Sequence, residues 1–144
     1  MGTEGGTKAM VDELSDRDLV ELARQARTRA YAPYSGFPVG AALLTRSGKV
    51  FSGCNVENAA YPLTTCAERT AVTKAVSEGE QEFEAIAIVT NTGAMPCGSC
   101  RQILREFAGP DGGLRVIVAD TGDSVRTFTI DELLPEGFTP AQLG

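Results

Sequence analysis

Two short stretches of this sequence carry residue types that can do metal chemistry. Cys66-Ala67-Glu68 offers a thiolate and, two residues on, a carboxylate, while Pro96-Cys97-Gly98-Ser99-Cys100 offers two thiolates one helical turn apart. A catalytic zinc ion keeps three protein ligands and leaves a fourth position for water or substrate, whereas a structural zinc ion is closed by four. The three cysteines are therefore predicted to form a catalytic zinc site, with the glutamate beside it as acid and base.

The chain contains no histidine, and this narrows the possible chemistry. Ser-His-Asp and Cys-His catalysis are excluded, and only thiolates and carboxylates remain to hold a transition metal. Cys97 and Cys100 by themselves are also typical of a redox dithiol. Glu68 by itself is more typical of a capping box with Thr65 at a helix start. The combination with Cys66 is what favours zinc chemistry over both alternatives.

Length and charge limit the class of protein. A chain of 144 residues suits one domain with a full core, and we expect a loose arm over residues 1–11 and a single domain over residues 12–144. The net charge of −6 repels a phosphate backbone, so no nucleic-acid partner is expected. No apolar run is long enough to span a bilayer, so no membrane partner is expected. Thiols committed to a metal favour a reducing cytoplasm.

The hydrophobic pattern predicts alternating strands and helices. Ser15 and Asp18 are predicted to form a capping box at the start of the first helix. Further helices are predicted over residues 65–78 and 96–107, and strands over residues 39–45, 50–56, 83–90, 114–119 and 125–130. The link between the last two strands is too short for a parallel crossover, so they should be antiparallel. We predict an α/β fold: a three-layer α-β-α sandwich with a mixed five-stranded sheet.

The order of these elements should bring the two motifs together. Helices that follow parallel strands begin at the carboxyl edge of the sheet, so Cys66 is expected beside Cys97 and Cys100. Helix starts carry partial positive charge, which favours thiolates. Three thiolates leave a zinc site with a net negative charge. Arg69 and Gln102 are candidates to hydrogen-bond the sulfur atoms, the alternative being that they are ordinary surface residues.

These motifs resemble those of the zinc-dependent nucleobase and nucleoside deaminases, which pair His-x-Glu or Cys-x-Glu with Pro-Cys-x-x-Cys. Further motifs narrow the resemblance to the small homotetrameric, three-cysteine cytidine deaminases, and they lie at residues 33–41, 55–61, 65–71 and 96–102. The similarity runs from about residue 14 to residue 138. It implies a cytidine deaminase-like fold, one zinc ion per chain, and a homotetramer whose sites are completed across subunits.

The resemblance also implies roles for individual residues. These are zinc ligation by Cys66, Cys97 and Cys100; proton transfer by Glu68; contact with the base through the Ala67 backbone and the Phe37 ring; hydrogen bonds to ribose from Asn55 and Glu57; and action across a subunit interface by Tyr61 and Phe138. By residue type alone, Phe37 is equally typical of a core, and Asn55 and Glu57 of a solvated strand end. Cys54 fits no ligand spacing and is interpreted as a small buried hydrophobe.

The implied function is hydrolytic deamination of free cytidine and 2′-deoxycytidine to uridine and 2′-deoxyuridine, with release of ammonia, in pyrimidine salvage. Zinc lowers the pKa of bound water from near 16 towards about 7. The resulting hydroxide would attack the base while Glu68 carries the proton to a ring nitrogen and then to the leaving amine. Three alternatives stay open: a deaminase of a cytosine nucleoside antibiotic, RNA or DNA editing, which the acidic charge disfavours, and a structural zinc module closed by Cys54 or a carboxylate.

Overall fold

The structure, a computed structural model of the chain, describes residues 7–8 and 14–143. The strands are β1 (Thr7–Lys8), β2 (Gly40–Thr45), β3 (Lys49–Cys54), β4 (Phe83–Val89), β5 (Arg115–Ala119) and β6 (Val125–Thr129). The α-helices are α1 (Asp16–Arg27), α2 (Ala67–Ser77), α3 (Gly98–Glu106) and α4 (Ile130–Leu133), and 3₁₀ turns lie at Tyr61–Leu63 and Pro140–Leu143. Most of the predicted arm, residues 1–11, lies outside the described residues.

The strands form one mixed sheet in the order β1-β3-β2-β4-β5-β6. Strand β2 is antiparallel to both of its neighbours, β3 and β4, so these two run in the same direction. Strands β4 and β5 are parallel, and β5 and β6 are antiparallel. All five predicted strands form, and the antiparallel last pair is confirmed. Strand β1 adds two residues at the edge, paired with β3, that the sequence did not predict.

Helices cover both faces of this sheet, which gives the predicted three layers. Along β2, alternate side chains point to opposite faces, and all six residues are buried. Ala41 and Leu43 pack in the cluster under α2, α3 and α4, whereas Ala42 and Leu44 pack under α1. Burial of this apolar area on both faces fixes the helix positions relative to the strand ends. Among the residues that the structure describes, no helix is long and apolar enough to cross a membrane.

The start of α1 confirms the predicted capping box. The Ser15 hydroxyl oxygen accepts a hydrogen bond from the Asp18 backbone N–H at 3.1 Å. The Asp18 carboxylate in turn accepts one from the Ser15 backbone N–H at 3.1 Å. These two contacts satisfy backbone donors that a helix start otherwise leaves unpaired.

Gly40, the first residue of β2, lies directly against the backbone of α1. A methyl group on its Cα would lie 2.0 Å from the Ala23 carbonyl oxygen and 2.5 Å from the Arg27 backbone nitrogen. Because both are backbone atoms inside a packed layer, we predict that Gly40→Ala lowers the free energy of unfolding by about 3 kcal/mol. Urea denaturation measures this. Gly98→Ala is the control, since the added methyl group would meet no described atom within 4 Å outside its chain neighbours and its own helix backbone; equal stability of the two variants would contradict the prediction.

Candidate metal centre and active site

Three cysteine side chains from two helix starts meet at one edge of the sheet. Cys66 is the N-cap of α2, Cys97 is the N-cap of α3, and Cys100 lies in the first turn of α3. Their sulfur atoms all lie within 4.8 Å of one another. Sulfur ligands at about 2.3 Å from a tetrahedral zinc ion are about 3.8 Å apart. The cluster is therefore spaced for one ion, and the predicted meeting of the two motifs is confirmed.

The pKa values of Cys66 and Cys100 show why the cysteine cluster suits a cation. A hydrogen bond with Cys100 lowers the pKa of Cys66 to about 6, and the positive charge of Arg69 acts in the same direction. The same hydrogen bond, together with burial, raises the pKa of Cys100 above its ordinary value. Without a cation, Cys66 thus favours the thiolate form and Cys100 the thiol form. A soft dication such as Zn²⁺ would offset the repulsion among three thiolates, so the donor set fits zinc.

The number of ligands bears on the kind of metal site. Among the residues that the structure describes, Cys66, Cys97 and Cys100 form the only group of three or more side chains placed to hold a metal ion. Cys54 and Glu68 both lie outside this group. The described residues thus do not form the closed four-ligand site that a structural zinc module needs. Three protein ligands match the open coordination of a catalytic zinc ion.

Glu68 lies in the first turn of α2 and is only 5% exposed. The helix is capped at Cys66 and not at Thr65, and no side chain of the described residues donates or accepts a capping hydrogen bond there. The alternative of a Thr65–Glu68 capping box is therefore wrong. Burial raises the pKa of Glu68 to about 7, and negative charge on Cys66 adds to the effect. A carboxyl group with a pKa near neutrality can both accept and donate a proton.

A cavity of about 170 Å³ adjoins the cysteine cluster. Its lining includes Glu68, Ala67 and Asn55 together with the three cysteines. Sequence reasoning missed Thr64 and Thr90, which also line it. Thr90 directly follows β4. A polar residue just past the carboxyl end of a buried strand is typical of a ligand site, and this pattern could have identified Thr90.

Asn55 and Glu57 fix the loop that leads from α1 to β2. The Asn55 Oδ1 atom accepts a hydrogen bond from the Val39 N–H at 2.9 Å, and its Nδ2 donates to the Phe37 carbonyl at 3.0 Å. The Glu57 carboxylate accepts hydrogen bonds from the Ser35 hydroxyl and from two backbone N–H groups of the loop, and the Ser35 hydroxyl lowers the pKa of Glu57. Both side chains are buried, so the alternative of a solvated strand end is wrong.

The other predicted substrate-binding residues lie away from this cavity in the single chain. Phe37 is half-buried and does not line the cavity. Tyr61 is 84% exposed and Phe138 is 54% exposed. Their proposed contacts with substrate or with a neighbouring subunit stay predictions. Cys54 is half-buried, not fully buried as predicted.

Arg69 and Gln102 were the predicted partners of the cysteine sulfur atoms. Arg69 is exposed, and its charge lowers the pKa of Cys66. The Gln102 Nε2 atom donates a hydrogen bond to the Phe138 backbone carbonyl at 2.8 Å. Hydrogen bonds from these two side chains to the thiolates stay predictions.

Comparison with known proteins identifies the family. Residues 14–111 match the cytidine and deoxycytidylate deaminase zinc-binding region. A cytidine deaminase of Sporosarcina psychrophila is 45% identical over 127 residues, which cover 87% of this chain and 92% of that protein. The crystal structure of a cytidine deaminase from Burkholderia pseudomallei matches with a TM-score of 0.82 at 47% identity, covering 86% of this chain and 99% of that one. The chain belongs to the cytidine and deoxycytidylate deaminase family, a family of zinc-dependent enzymes.

One relative bears on the antibiotic alternative raised by the sequence. A blasticidin-S deaminase of Bacillus cereus is 34% identical over 134 residues, covering 86% of this chain and 92% of that protein. The identity is lower than that of the cytidine deaminase relative over a similar span.

Proposed function

We propose that this protein hydrolyses free cytidine and 2′-deoxycytidine to uridine and 2′-deoxyuridine, with release of ammonia, and so serves pyrimidine salvage. The observation that carries the proposal is the buried Glu68 carboxyl beside a three-cysteine cluster on the wall of one cavity. The relatives named cytidine deaminase support the substrate. A cavity of about 170 Å³ is smaller than the roughly 300–1,000 Å³ of drug-sized pockets. It suits a single base, with the sugar at the cavity mouth.

Zinc held by the three cysteines would supply a bound water of lowered pKa. Glu68 then has the central role, because it is the one carboxyl group in the described cavity lining. It takes one proton from the water and delivers it to a ring nitrogen of the base, and it then takes the second proton from the new C4 hydroxyl group and passes it to the departing amino group. A carbon–oxygen bond forms at C4, the carbon–nitrogen bond breaks, and ammonia leaves.

The negative charge of a three-thiolate site is reduced by groups of this chain. Cys66 and Cys97 cap the N-termini of α2 and α3, where the helix dipoles place partial positive charge. Arg69 adds a full positive charge close enough to affect Cys66. These three sources would draw electron density from the sulfur atoms and keep the zinc ion an effective Lewis acid.

For the sugar and base, we propose that Asn55 and Glu57 bind ribose hydroxyl groups, that the Ala67 backbone contacts the base and that Phe37 packs on the pyrimidine. Asn55 lines the cavity, and its side chain keeps one N–H and one acceptor lone pair after its two contacts with the loop. The same side chain binds the Phe37 backbone, so the loop that carries the aromatic ring is tied to the cavity wall.

The Asn55→Asp variant tests whether Asn55 both binds substrate and holds the loop that carries Phe37. The carboxylate can still accept from the Val39 N–H but loses the donor that binds the Phe37 carbonyl. Loss of one buried hydrogen bond costs about 1–3 kcal/mol, so we expect kcat/KM for cytidine to fall by about 10- to 100-fold with zinc content unchanged. Asn58→Asp is the matched control, because the contact that the described residues make with the exposed Asn58 side chain is the hydrogen bond it accepts from the Ala60 N–H. Equal kcat/KM in the two variants would argue against a role for Asn55.

The assembly is a separate proposal. We propose a homotetramer with one zinc ion per chain and with sites completed by Tyr61 and Phe138 of neighbouring subunits. Contiguous exposed apolar side chains mark interaction surfaces. Tyr61 and Leu63 lie in the same 3₁₀ turn and are both more than half exposed, as are Tyr31 and Phe138 elsewhere in the chain. Sedimentation of the zinc-loaded protein measures the assembly state directly.

We also propose a single domain over residues 12–144. A cytoplasmic location is proposed as well, since zinc-binding thiolates need a reducing compartment.

Ammonia release measured on a panel of compounds tests the proposed reaction. The zinc-analysed protein is assayed with cytidine, 2′-deoxycytidine, cytosine, CMP, adenosine and blasticidin S. We expect turnover of the first two only, because the cavity accepts a base and the mouth offers hydrogen bonds to a sugar. Preferred turnover of blasticidin S would support the antibiotic alternative, and no turnover of any compound would contradict the proposed function.

A further inference from the structure

Cys97 is the cysteine of the cluster that side-chain packing restrains least. It is exposed, whereas Cys66 is half-buried and Cys100 is buried. The Cys97 sulfur atom contacts the hydroxyl of Ser99, itself an exposed residue, at 3.2 Å. The position of the Cys97 sulfur must therefore be set mainly by the backbone that carries it.

Arg101 binds that backbone on both sides of Cys97. Its backbone N–H donates a hydrogen bond to the Cys97 carbonyl at 3.0 Å, and its Nε donates to the Pro96 carbonyl at 2.8 Å. The Pro96 carbonyl belongs to the planar peptide group that ends at the Cys97 nitrogen. Fixing both carbonyl groups thus fixes the two peptide planes from which the Cys97 side chain projects.

The other end of the same guanidinium group is attached to a different element. Its Nη1 atom donates a hydrogen bond to the carbonyl of Leu133, the last residue of α4, at 2.8 Å. Helix α4 is itself well anchored, because Thr129 and Glu132 form a capping box at its start and Ile130 is fully buried. The guanidinium group therefore ties the turn that carries Cys97 to a helix fixed in the core.

We propose that Arg101 is a positioning residue for the metal site. It holds Cys97 where its sulfur meets those of Cys66 and Cys100, and it does so by joining the Pro96–Cys97 peptide to α4. An arginine suits this task, since its rigid planar fork directs several donors at once, whereas a lysine ammonium group can reach one of the two carbonyls but not both. The proposal rests on the three-cysteine metal site of the proposed function but not on the identity of the substrate.

Zinc affinity of Arg101 variants, measured by competition with a chelator, tests the proposal without reference to turnover. We expect Arg101→Gln to weaken zinc binding by about 10- to 100-fold, the range seen when groups that orient metal ligands are lost. Arg101→Lys should be intermediate, because it keeps one of the two side-chain bonds. In both Arg101 variants, cytidine turnover should fall in proportion to zinc occupancy. It should be recovered when zinc is added to saturation.

Arg105 provides a matched control on the same helix. It also donates side-chain hydrogen bonds to two backbone carbonyls, those of Gly109 at 2.8 Å and Pro110 at 3.1 Å, and it is buried. Its partners lie in the loop after α3, away from the cysteines. Arg105→Lys should therefore lower the stability of the fold and leave zinc affinity unchanged.

Parental zinc affinity in folded Arg101→Gln and Arg101→Lys proteins would overturn the proposal. So would an equal loss of zinc affinity in Arg105→Lys, because the effect would then be one of general stability.

If both Arg101 variants fail to fold, NMR of the parent protein tests the hydrogen bond between Arg101 and Pro96. A slowly exchanging Arg101 Nε–H signal supports the bond to Pro96, and exchange at the rate of a free guanidinium group overturns it. Normal zinc affinity of the parent with no cytidine turnover would instead count against the proposed function alone.

Discussion

The Glu68→Gln variant is expected to keep its zinc and its fold and to lose nearly all turnover of cytidine. Glu68 lies outside the group of side chains placed to hold a metal ion, so its replacement leaves the three cysteines intact. Glutamine has the same shape but can neither accept nor deliver the proton that the reaction must move. Because proton transfer by a positioned side chain contributes about 10²- to 10⁴-fold, we expect kcat to fall by about 10³-fold or more.

The measurement is kcat for cytidine at saturating substrate, with zinc content determined on the same sample. Glu78→Gln is the matched control, since Glu78 is an exposed residue at the opposite end of α2, and its kcat should be unchanged. Full activity in Glu68→Gln would remove Glu68 from the mechanism. Loss of zinc in Glu68→Gln would instead indicate that the carboxylate is a ligand.

The Cys100→Ala variant should lose both zinc and activity. Cys100 is 1% exposed and is one of the three clustered sulfur donors. Two thiolates alone leave zinc with too few protein ligands for a stable site. A zinc ion at this site would contribute several kcal/mol to the proposed reaction, so turnover should fall by at least about 10³-fold.

Zinc content after dialysis against a chelator and cytidine turnover are the two measurements for Cys100→Ala. Cys54→Ala is its control, because Cys54 is half-buried and lies outside the cluster. The Cys54 variant should keep its zinc and its activity. If the Cys54→Ala variant lost the zinc ion from every chain, Cys54 would be a fourth ligand. A closed four-ligand site would then be indicated, and the catalytic interpretation would be wrong.

Much of this architecture could be predicted because local patterns specify it. The capping box of Ser15 and Asp18, the buried strand at 83–90 and the short link before the last strand are each visible within a few residues of sequence. Parallel β3 and β4, each followed by a helix, then bring Cys66 to Cys97 and Cys100 without any further information. The convergence of the metal site thus follows from chain order.

Features that depend on long-range contacts could not be predicted in the same way. Thr65 and Glu68 satisfy the sequence pattern of a capping box, yet α2 begins two residues later than predicted and is capped at Cys66, where the cysteine cluster forms. Two residues are too few for a strand pattern, so β1 depends on its pairing with β3. The use of Asn55 to hold the loop at Phe37 likewise depends on packing between distant segments.

Stepwise return of zinc to the metal-free protein, with cytidine turnover followed at each step, tests the central claim most directly. Three thiolates with one open position and a buried Glu68 predict that activity rises in proportion to added zinc and reaches a plateau at one ion per chain. Turnover that is complete without zinc, or absent when one ion per chain is bound, would contradict the account.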